Sequence, residues 1–581
     1  MNLPLRQYWN LLATYLAPQK HKVATLAVLL LTHIGVQLFN PQIIRFVIDA
    51  AMGEGAGTPA NLTSAALLFI GGALAQQALT VAVTYVSTDV AWTATNALRA
   101  DLALHCLRLD MSFHKQHTPG EMIERIDGDV NALSNFFSQF VIQVLGNGLL
   151  LLGIVVLMWR ESVWLGGALT TFVFITLVVL NRVRHYVTPF MLAARQASAG
   201  LFGFIEERLS GTEDIRANGG AGYVIQRLSH FMSRRFHTAR RPMGTLISAS
   251  TRSMFALGLG LSFILSSYLF HAEALTLGTV YLVFYYTDML RIPMEQLTRQ
   301  AQDLQRATAG ILRLQTLHNT QSKIQDGPGT RFAHGPSSVE FDEVWFEYEE
   351  RGAVLHGLSF QLQPGKVLGL LGRTGSGKTT LTRLLYRLYD PNSGAIRLDG
   401  FDVREPRLAQ LRQRVGVVTQ DVQLFRATVR DNLTFFERHV SDDEILRVLK
   451  EIGLWAWYDA LPKGLDTWLA TGSEGLSAGE AQLLAFARVF LKNPGLIILD
   501  EASSRLDPAT EQRIERAVNK LLEGRTGLIV AHRLGTVQRA DEIMILEDGH
   551  IGEHGPRAQL AADPTSRFYR LLQTGMEEVL A

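Results

Sequence analysis

The chain has 581 residues, which predicts several domains rather than one. Its formal net charge of +1 at pH 7 argues against a protein that binds nucleic acid. Cys106 is the only cysteine, so an internal disulfide and a cysteine-rich zinc site are excluded. The hydrophobic content of 47% hides a division, because the first half is strongly apolar and the second half resembles a soluble α/β domain.

The first half contains apolar segments of roughly twenty residues, the length that a helix needs to cross a membrane. Residues 3–20 lack a short apolar core with a small-residue cleavage site, so no signal peptide is predicted. Buried helices of a soluble domain are the alternative, but the number and uniform length of the segments argue against them. About six spans are predicted, at 23–51, 64–87, 134–158, 163–182, 245–270 and 275–298.

The charges round the first span predict its orientation. Lys20 and Lys22 precede this span, whereas the connection after it, 53–61, contains no Lys or Arg. The positive-inside bias therefore places the N-terminus in the cytoplasm, and an even number of spans returns the chain there.

The connections after the second and fourth spans, 90–133 and 183–243, are long, charged and helical in pattern. The pattern breaks near 112–121 and 211–220. Each break predicts a turn or short helix far below the membrane, where it can contact another domain. Solvent-exposed turns are the alternative.

Several polar residues fall inside the predicted spans, where ionisable groups usually pair with each other or face a cavity. Asp288 and Arg291 are three residues apart and can pair on one helix, or they can contribute to substrate binding. The full set is His33, Arg45, Asp49, Gln143, Asn147, Asp288 and Arg291.

Residues 319–337 contain glycine and proline without apolar periodicity, which predicts a linker. From Val339 short strands and helices alternate, which predicts an α/β domain round a largely parallel sheet. Tyr348 ends the first of these strands. An aromatic residue there can stack on a purine, although packing is the commoner role of such a residue.

A glycine-rich stretch follows the apolar run 367–371 and precedes a segment with helical spacing, 380–388. Strand, glycine-rich turn and helix in this order are the context of a phosphate-binding loop, in which backbone N–H groups and the helix N-terminus surround the phosphates. Lys378 is placed to reach the β- and γ-phosphates of ATP, and Thr379 to bind Mg²⁺ through its hydroxyl. The predicted nucleotide-binding residues here are Gly372, Arg373, Thr374, Gly375, Ser376, Gly377, Lys378, Thr379 and Thr380.

Polar side chains follow three further strands, at the edge where open α/β sheets bind ligands. Gln420 can bind Mg²⁺ through its side-chain carbonyl or orient water. Asp500 is predicted to hold the Mg²⁺ shell, and the next residue, Glu501, to polarise the attacking water. His532 can hydrogen-bond to the γ-phosphate, whereas a lone histidine is more often structural.

A second small turn opens a predicted helix over 481–488 and forms another anion site. If both anion sites bound the same nucleotide within one chain, the second site would be redundant. If two domains face each other head to tail, each turn completes the other's site, which predicts a dimer with ATP at the interface. The turn consists of Leu476, Ser477, Ala478, Gly479 and Glu480.

Together these residues resemble the ATP-binding cassette (ABC) transporters, and the resemblance covers essentially the whole chain. The stretches that resemble the Walker A, Walker B and signature motifs are 372–379, 496–501 and 476–480. The positions that look like the A-, Q-, D- and H-loops are Tyr348, Gln420, 504–507 and His532. About six spans before one nucleotide domain are similar to exporter half-transporters, and the breaks near 112–121 and 211–220 then look like coupling helices.

The chain departs from the family's usual LSGGQ signature, because Ala478 replaces a glycine and Glu480 replaces the glutamine. Glu480 brings negative charge near the bound phosphates. Residues 471–475 and Arg505 also differ from the usual exporter pattern. In heterodimeric exporters the chain that keeps the catalytic glutamate often carries the altered signature. The resemblance therefore implies a heterodimer in which Glu501 hydrolyses ATP and the altered signature closes a weakly hydrolysing site, with a homodimer as the alternative.

The expected fold is an all-α six-helix transmembrane domain over 1–318, a linker over 319–337 and an α/β P-loop nucleotide-binding domain over 338–581. The resemblance implies ATP-driven export of a hydrophobic, lipid or peptide substrate by alternating access, with ATP and Mg²⁺ bound. It also implies a second half-transporter chain as partner, location in the cell (inner) membrane and a cytoplasmic nucleotide domain. The alternatives are an ATP-gated channel, a regulatory subunit without pumping and a homodimeric lipid flippase. An importer is disfavoured, because its membrane and ATPase parts are usually separate chains.

Overall fold

The structure is a computed structural model that describes residues 13–52, 59–139, 144–239, 243–349, 352–420, 422–437, 439–469, 476–500, 508–531 and 537–574. The chain forms two compact units. The first comprises Met1–Leu107 and Thr118–Thr320, and the second comprises Arg108–His117 and Gln321–Ala581.

The first unit is helical throughout its described part, apart from short connections. A short 3₁₀ turn precedes its first helix, and a π-helical turn precedes α5. Its helices are α1 (Lys20–Ala51), α2 (Pro59–Arg108), α4 (Pro119–Ile123), α5 (Val130–Gln139), α6 (Asn147–Glu161), α7 (Val163–Ser210), α8 (Thr212–Ala217), α9 (Ala221–Ala239), α10 (Met243–His271), α11 (Leu277–Met289) and α12 (Arg291–Asn319).

Five helices in the described residues are long and apolar enough to cross a membrane. They are Ala13–Ala51, Leu62–Arg108, Val144–Glu161, Val163–Ser210 and Ala249–His271. The sixth predicted span corresponds to α11 and the start of α12, which are separated by a turn at Leu290. Pro293 has no N–H to donate to the carbonyl of Met289, four residues earlier, and this explains the interruption.

Two of the spanning helices continue far into the charged connections. α2 has 50 residues and α7 has 48, so each extends roughly 70–75 Å at 1.5 Å per residue. Short helices occur at both predicted breaks. At the first break, Thr118 caps α4 by accepting a hydrogen bond from the Glu121 N–H, with Pro119 at the first helical position.

The polar residues in the spans differ in their pairing. Arg45 donates to Glu161 at 2.6 Å and lies 3.6 Å from Asp49, and Asp49 accepts from the Gly278 N–H at 2.8 Å. Intramembrane charges in this group therefore compensate one another. The described residues include no ion pair between Asp288 and Arg291, which lie on either side of the turn at Leu290. Gln143 lies outside the described residues.

The second unit contains two sheets. The larger has the strand order β10-β9-β3-β8-β7-β6, and four of its five pairings are parallel, whereas β10 pairs antiparallel with β9. The smaller is antiparallel, with the order β2-β1-β4-β5, and the sequence did not predict it as a separate sheet. The strands are β1 (Val339–Tyr348), β2 (Gly352–Leu362), β3 (Val367–Gly372), β4 (Ser393–Leu398), β5 (Phe401–Asp402), β6 (Val415–Val418), β7 (Leu496–Asp500), β8 (Thr526–Val530), β9 (Glu542–Glu547) and β10 (His550–Pro556).

Helices cover the sheets of the second unit. They are α3 (Met111–Gln116), α13 (Lys378–Leu385), α14 (Leu408–Arg414), α15 (Val429–Thr434), α16 (Asp442–Glu451), α17 (Trp455–Asp459), α18 (Ala478–Lys492), α19 (Pro508–Leu522), α20 (Arg557–Ala562) and α21 (Arg567–Thr574). A single 3₁₀ turn, Gly464–Asp466, follows α17.

The parallel strands are buried on both faces. In β7, Ile497 and Leu499 belong to one hydrophobic cluster, whereas Leu496 and Ile498 belong to a second cluster on the opposite face. Each buried Leu or Ile side chain contributes about 1.5–3 kcal/mol to folding. This two-sided core explains the uninterrupted apolar run in β7 and fixes the strand that presents Asp500 at its end.

Candidate functional site

The glycine-rich loop connects the end of β3 to the start of α13, and two of its glycines are required by their surroundings. Gly372 has φ +148°, and a Cβ there would lie 2.3 Å from the carbonyl oxygen of Leu546 on β9. Gly377 precedes α13 with φ +104°, and a Cβ there would lie 2.6 Å from Leu355 Cδ2. Only glycine fits at these two positions, so the loop can stay tight against the sheet with its N–H groups at the helix N-terminus.

Lys378 begins α13 and is buried inside the loop. Its ammonium donates to the carbonyl oxygens of Gly372, at 2.5 Å, and Arg373, at 2.9 Å. The hydroxyl of Ser376 is buried and has no hydrogen-bond partner among the described residues. A cation and an unsatisfied hydroxyl inside a cradle of backbone N–H groups fit an anionic ligand such as a phosphate group.

Oxygen ligands suitable for Mg²⁺ lie at the same edge of the sheet. Asp500 is the last residue of β7, and Gln420 is exposed two residues beyond β6. Thr379, the exposed second residue of α13, supplies a hydroxyl. Parallel strands end at one edge, and β3 and β7 are separated only by β8, or roughly 10 Å. Hydroxyl, amide and carboxylate oxygens are the donors that Mg²⁺ prefers, so the residues fit this ion.

Three predicted features lie outside the residues that the structure describes: Glu501, His532 and the stretch 504–507. Glu501 directly follows Asp500, and His532 directly follows Ala531. The Ala531 N–H donates to the Leu370 carbonyl of β3 at 3.1 Å, so the described chain leaves β8 beside the strand that enters the phosphate loop.

Tyr348 ends β1 beside the first turn of α13. Its hydroxyl lies 3.2 Å from Thr380 Oγ1. The rings of Phe346 and Tyr389 meet the Tyr348 ring at 90°, with centroid distances of 4.8 and 5.3 Å. Tyr348 is therefore an aromatic surface attached to the helix that begins at the phosphate loop.

The structure adds a contact that the sequence did not reveal. The ammonium of Lys115 lies 3.8 Å from the centroid of the Tyr348 ring. Lys115 belongs to α3, within the stretch 112–121, where the sequence predicted a turn or short helix able to contact another domain but indicated no partner residue. No local sequence pattern links the two residues.

The signature turn begins α18 with a closed capping box. Ser477 Oγ accepts from the Glu480 N–H at 3.2 Å. In return, the Glu480 carboxylate accepts from the Ser477 N–H at 2.8 Å and from its hydroxyl at 2.9 Å. Ala478 is exposed and Gly479 is buried beneath it. A carboxylate thus already takes the donors that an anion at this helix N-terminus would use.

Arg488, near the middle of α18, connects this helix to the segment after Gln420. Its guanidinium donates to the carbonyl oxygens of Asn432, at 2.7 Å, and Gln423, at 3.1 Å. It also lies over the Phe435 ring at 4.6 Å. Burial lowers the pKa of Arg488 to about 10, so the side chain remains cationic at neutral pH. No pattern in the sequence indicates this link.

The second unit has a parallel α/β sheet with a phosphate loop at its carboxyl edge, and it is joined to a unit of membrane-length helices. Together these features define a membrane-bound ATPase. Comparisons with known proteins agree. Residues 355–504 match the ABC transporter family, and residues 23–292 match the ABC transporter transmembrane region.

Curated relatives extend over most of the chain. An ATP-dependent lipid A-core flippase from Alcanivorax borkumensis is 31% identical over 480 residues, 82% of each chain. The protein of the same name from Photorhabdus laumondii is 32% identical over 471 residues, 80% of each chain. An uncharacterised ABC transporter ATP-binding protein of Bacillus subtilis, YfiC, is 28% identical over 96% of this chain and 92% of its own.

Among solved structures, a bacterial Atm1-family ABC exporter with ATP bound has the same fold. Its TM-score is 0.79 at 24% identity, over 96% of this chain and 98% of that chain. This chain belongs to the ABC transporter family. It is a multi-pass membrane protein and an exporter half-transporter, a type that functions as a dimer, and its ATP-binding domain supplies the ATPase activity that drives transport.

Proposed function

We propose that residues 372–380 bind the phosphates of ATP and that Tyr348 stacks on its adenine ring. The observation that carries this proposal is the buried Lys378 ammonium inside a loop that only glycine can form, at the sheet edge where Asp500 emerges. Thr379, Gln420 and Asp500 would hold Mg²⁺, which neutralises charge on the phosphates when bound.

Hydrolysis transfers the γ-phosphoryl group of ATP to water. In our proposal Glu501 accepts a proton from the attacking water, and His532 donates a hydrogen bond to a γ-phosphate oxygen. The P–O bond to the new oxygen forms as the bond to the β-phosphate oxygen breaks, and ADP leaves with the negative charge. Lys378 stabilises that charge as it develops, because its ammonium is already fixed inside the loop.

The variants Lys378→Ala and Glu501→Gln separate binding from chemistry. The first is expected to abolish ATP binding, and the second to keep ATP bound while lowering turnover by at least about a hundredfold. Glu523→Gln, at an exposed carboxylate in the turn after α19, is the control and should retain wild-type activity. A Glu501→Gln variant with undiminished turnover would rule out Glu501 as the base.

We propose that the partner is a different half-transporter chain. The support is the altered signature, in which the Glu480 carboxylate brings negative charge to the N-terminus of α18. Glu501 would then act at a site completed by the partner's signature, while this chain's signature closes the second, weakly hydrolysing site.

Two differently tagged copies of this chain, expressed together and purified through one tag, test the partner directly. If the chain forms a heterodimer, the purified assembly should contain another ABC chain and should lack the second tag. Recovery of both tags in an ATP-hydrolysing complex would instead establish the homodimer.

We propose the cell membrane as the location, with the second unit in the cytoplasm, and an amphipathic molecule as substrate. Lipids are the first class to test, because curated relatives are named lipid A-core flippases. ATPase activity in proteoliposomes should respond to the transported class of lipid, peptide or hydrophobic compound. ATP-dependent ion conductance with no ATPase response to any substrate would favour the channel alternative.

A further inference from the structure

Lys115 covers one face of the Tyr348 ring. Its Nζ lies 3.8 Å from the Tyr348 centroid and 5.6 Å from the centroid of Tyr389. The two tyrosine centroids are 5.3 Å apart, and their rings are perpendicular. These three distances place Tyr389 beside the edge of Tyr348, nearly at right angles to the direction of the ammonium. Tyr389 therefore does not cover the face of the Tyr348 ring that the Lys115 ammonium contacts.

Lys115 is held in place by the ends of its helix. Asp110 caps α3 by accepting hydrogen bonds from the N–H groups of Ser112, at 2.9 Å, and Phe113, at 3.3 Å. The same carboxylate accepts from the Lys323 N–H at 2.7 Å, which ties α3 to the segment before β1.

The strand end next to Tyr348 is fixed to the same helix. Gln116, the neighbour of Lys115, donates to Glu349 at 2.9 Å. The Lys323 ammonium forms an ion pair with the same carboxylate. The neighbours of Lys115 and Tyr348 thus join α3 to the end of β1. These contacts hold the backbone of Lys115 close to the Tyr348 ring, so the position of the ammonium does not depend on its side chain alone.

The surroundings indicate which face of Tyr348 remains for a base. Lys115 lines a cavity of about 620 Å³ together with Tyr348 itself, Tyr389 and Arg383. Among the described residues, none from the phosphate loop, 372–379, lines this cavity. A base tethered to phosphates in that loop would then approach Tyr348 from the side opposite the ammonium.

We propose that Lys115 is a positioning residue for nucleotide binding, which supports Tyr348 from behind while adenine stacks on the opposite face. The inference rests on the proposed role of Tyr348 in adenine stacking. A cation held against an aromatic ring attracts the negative face of its π-system and restrains the ring's orientation. Lys115 then acts on the base of the nucleotide and not on its phosphates.

The test measures nucleotide affinity of the full-length protein in lipid nanodiscs, in a Glu501→Gln background that prevents hydrolysis. Lys115→Met keeps the apolar stem and removes the charge, and Lys115→Arg keeps the charge. We expect Lys115→Met to raise the Kd for ATP about two- to tenfold, as removal of one cation–π contact predicts. The Kd for tripolyphosphate, which lacks a base, should stay unchanged, and Lys115→Arg should restore ATP affinity.

A double-mutant cycle with Tyr348→Ala completes the test. The effect of Lys115→Met should disappear when the ring is absent. Equal loss of ATP and tripolyphosphate affinity, additive effects in the cycle, or tighter ATP binding by Lys115→Met would each overturn the inference. If Tyr348→Ala leaves the Kd for ATP unchanged, the proposed adenine contact itself fails. If Tyr348→Ala weakens ATP binding and Lys115→Met does not, only the role of Lys115 fails.

Discussion

Replacing Glu480 with glutamine isolates the charge in the signature turn. Glutamine has the same shape and can accept the same hydrogen bonds from Ser477, so the capping box that begins α18 should persist. The variant removes only the negative charge. If this turn faces a phosphate group in the dimer, the variant should strengthen ATP-dependent closure of the site.

The size of the effect follows from the capping geometry. The Glu480 carboxylate oxygen lies 2.9 Å from Ser477 Oγ. A phosphate oxygen bound to the same hydroxyl would lie within about 5 Å of that carboxylate, given an ordinary hydrogen-bond length. Two unit charges at this separation repel by about 0.8 kcal/mol in water and about 3 kcal/mol at an effective dielectric constant of 20. Because Ser477 is exposed, we expect the lower value, about a fourfold change.

The assay is ATPase activity of the assembled dimer in proteoliposomes at ATP concentrations below the KM. Glu480→Gln should raise activity about fourfold, with a larger increase at low salt. Glu444→Gln is the matched control, because Glu444 occupies the same position after the N-cap Ser441 of α16. Activity of Glu480→Gln at or below wild type, with the dimer intact, would refute the electrostatic reasoning.

Three further substitutions test other parts of the account. Gly372→Ala should abolish ATP binding in an equilibrium binding assay, because its Cβ would collide with the Leu546 carbonyl; retained affinity would contradict this geometry. Arg488→Ala should lower the free energy of unfolding by about 1–3 kcal/mol in thermal denaturation, since it leaves carbonyl oxygens near α18 unsatisfied; no change would contradict the proposed link. Burial acts to raise the pKa of Asp110, but hydrogen bonds from N–H donors, including that of Lys323, outweigh burial and lower this pKa. The ionised carboxylate therefore stabilises the folded protein above the unfolded-state pKa, and this stabilisation is lost as pH falls through the folded-state pKa. Asp110→Asn should therefore be less stable than wild type at pH 7, and a difference in melting temperature that did not shrink as pH falls below about 4 would contradict this.

The elements that the sequence predicted best are those whose signal is local. The run before Asp500 is apolar at every position because β7 is buried on both faces, and the strand occurs where the sequence indicates. The glycine-rich loop is likewise encoded in consecutive residues, since Gly372 and Gly377 adopt backbone conformations that other residues rarely take.

The contacts that the sequence could not predict join distant parts of the chain. Gln116 and Glu349 hydrogen-bond although they are 233 residues apart, and the neighbouring contact of Lys115 with Tyr348 has the same origin. No periodicity within either segment encodes such a pairing. The antiparallel sheet that carries Tyr348 is another non-local feature, because β1 pairs with β4 across the intervening phosphate loop and α13.

The turn at Leu290, which divides the sixth predicted span, has a local cause. Pro293 cannot donate a hydrogen bond to the carbonyl of Met289, four residues earlier. The proline was visible in the sequence, so this turn could have been predicted by considering the backbone donor that it removes.

ATPase activity of the purified chain, alone and after co-expression with the product of the neighbouring gene, tests the central claim most directly. Each preparation is measured with Glu501 and with Glu501→Gln. We expect ATPase activity only with a partner, and we expect Glu501→Gln to abolish it. An active dimer formed by this chain alone would contradict the heterodimer and show that the signature containing Glu480 is competent for hydrolysis.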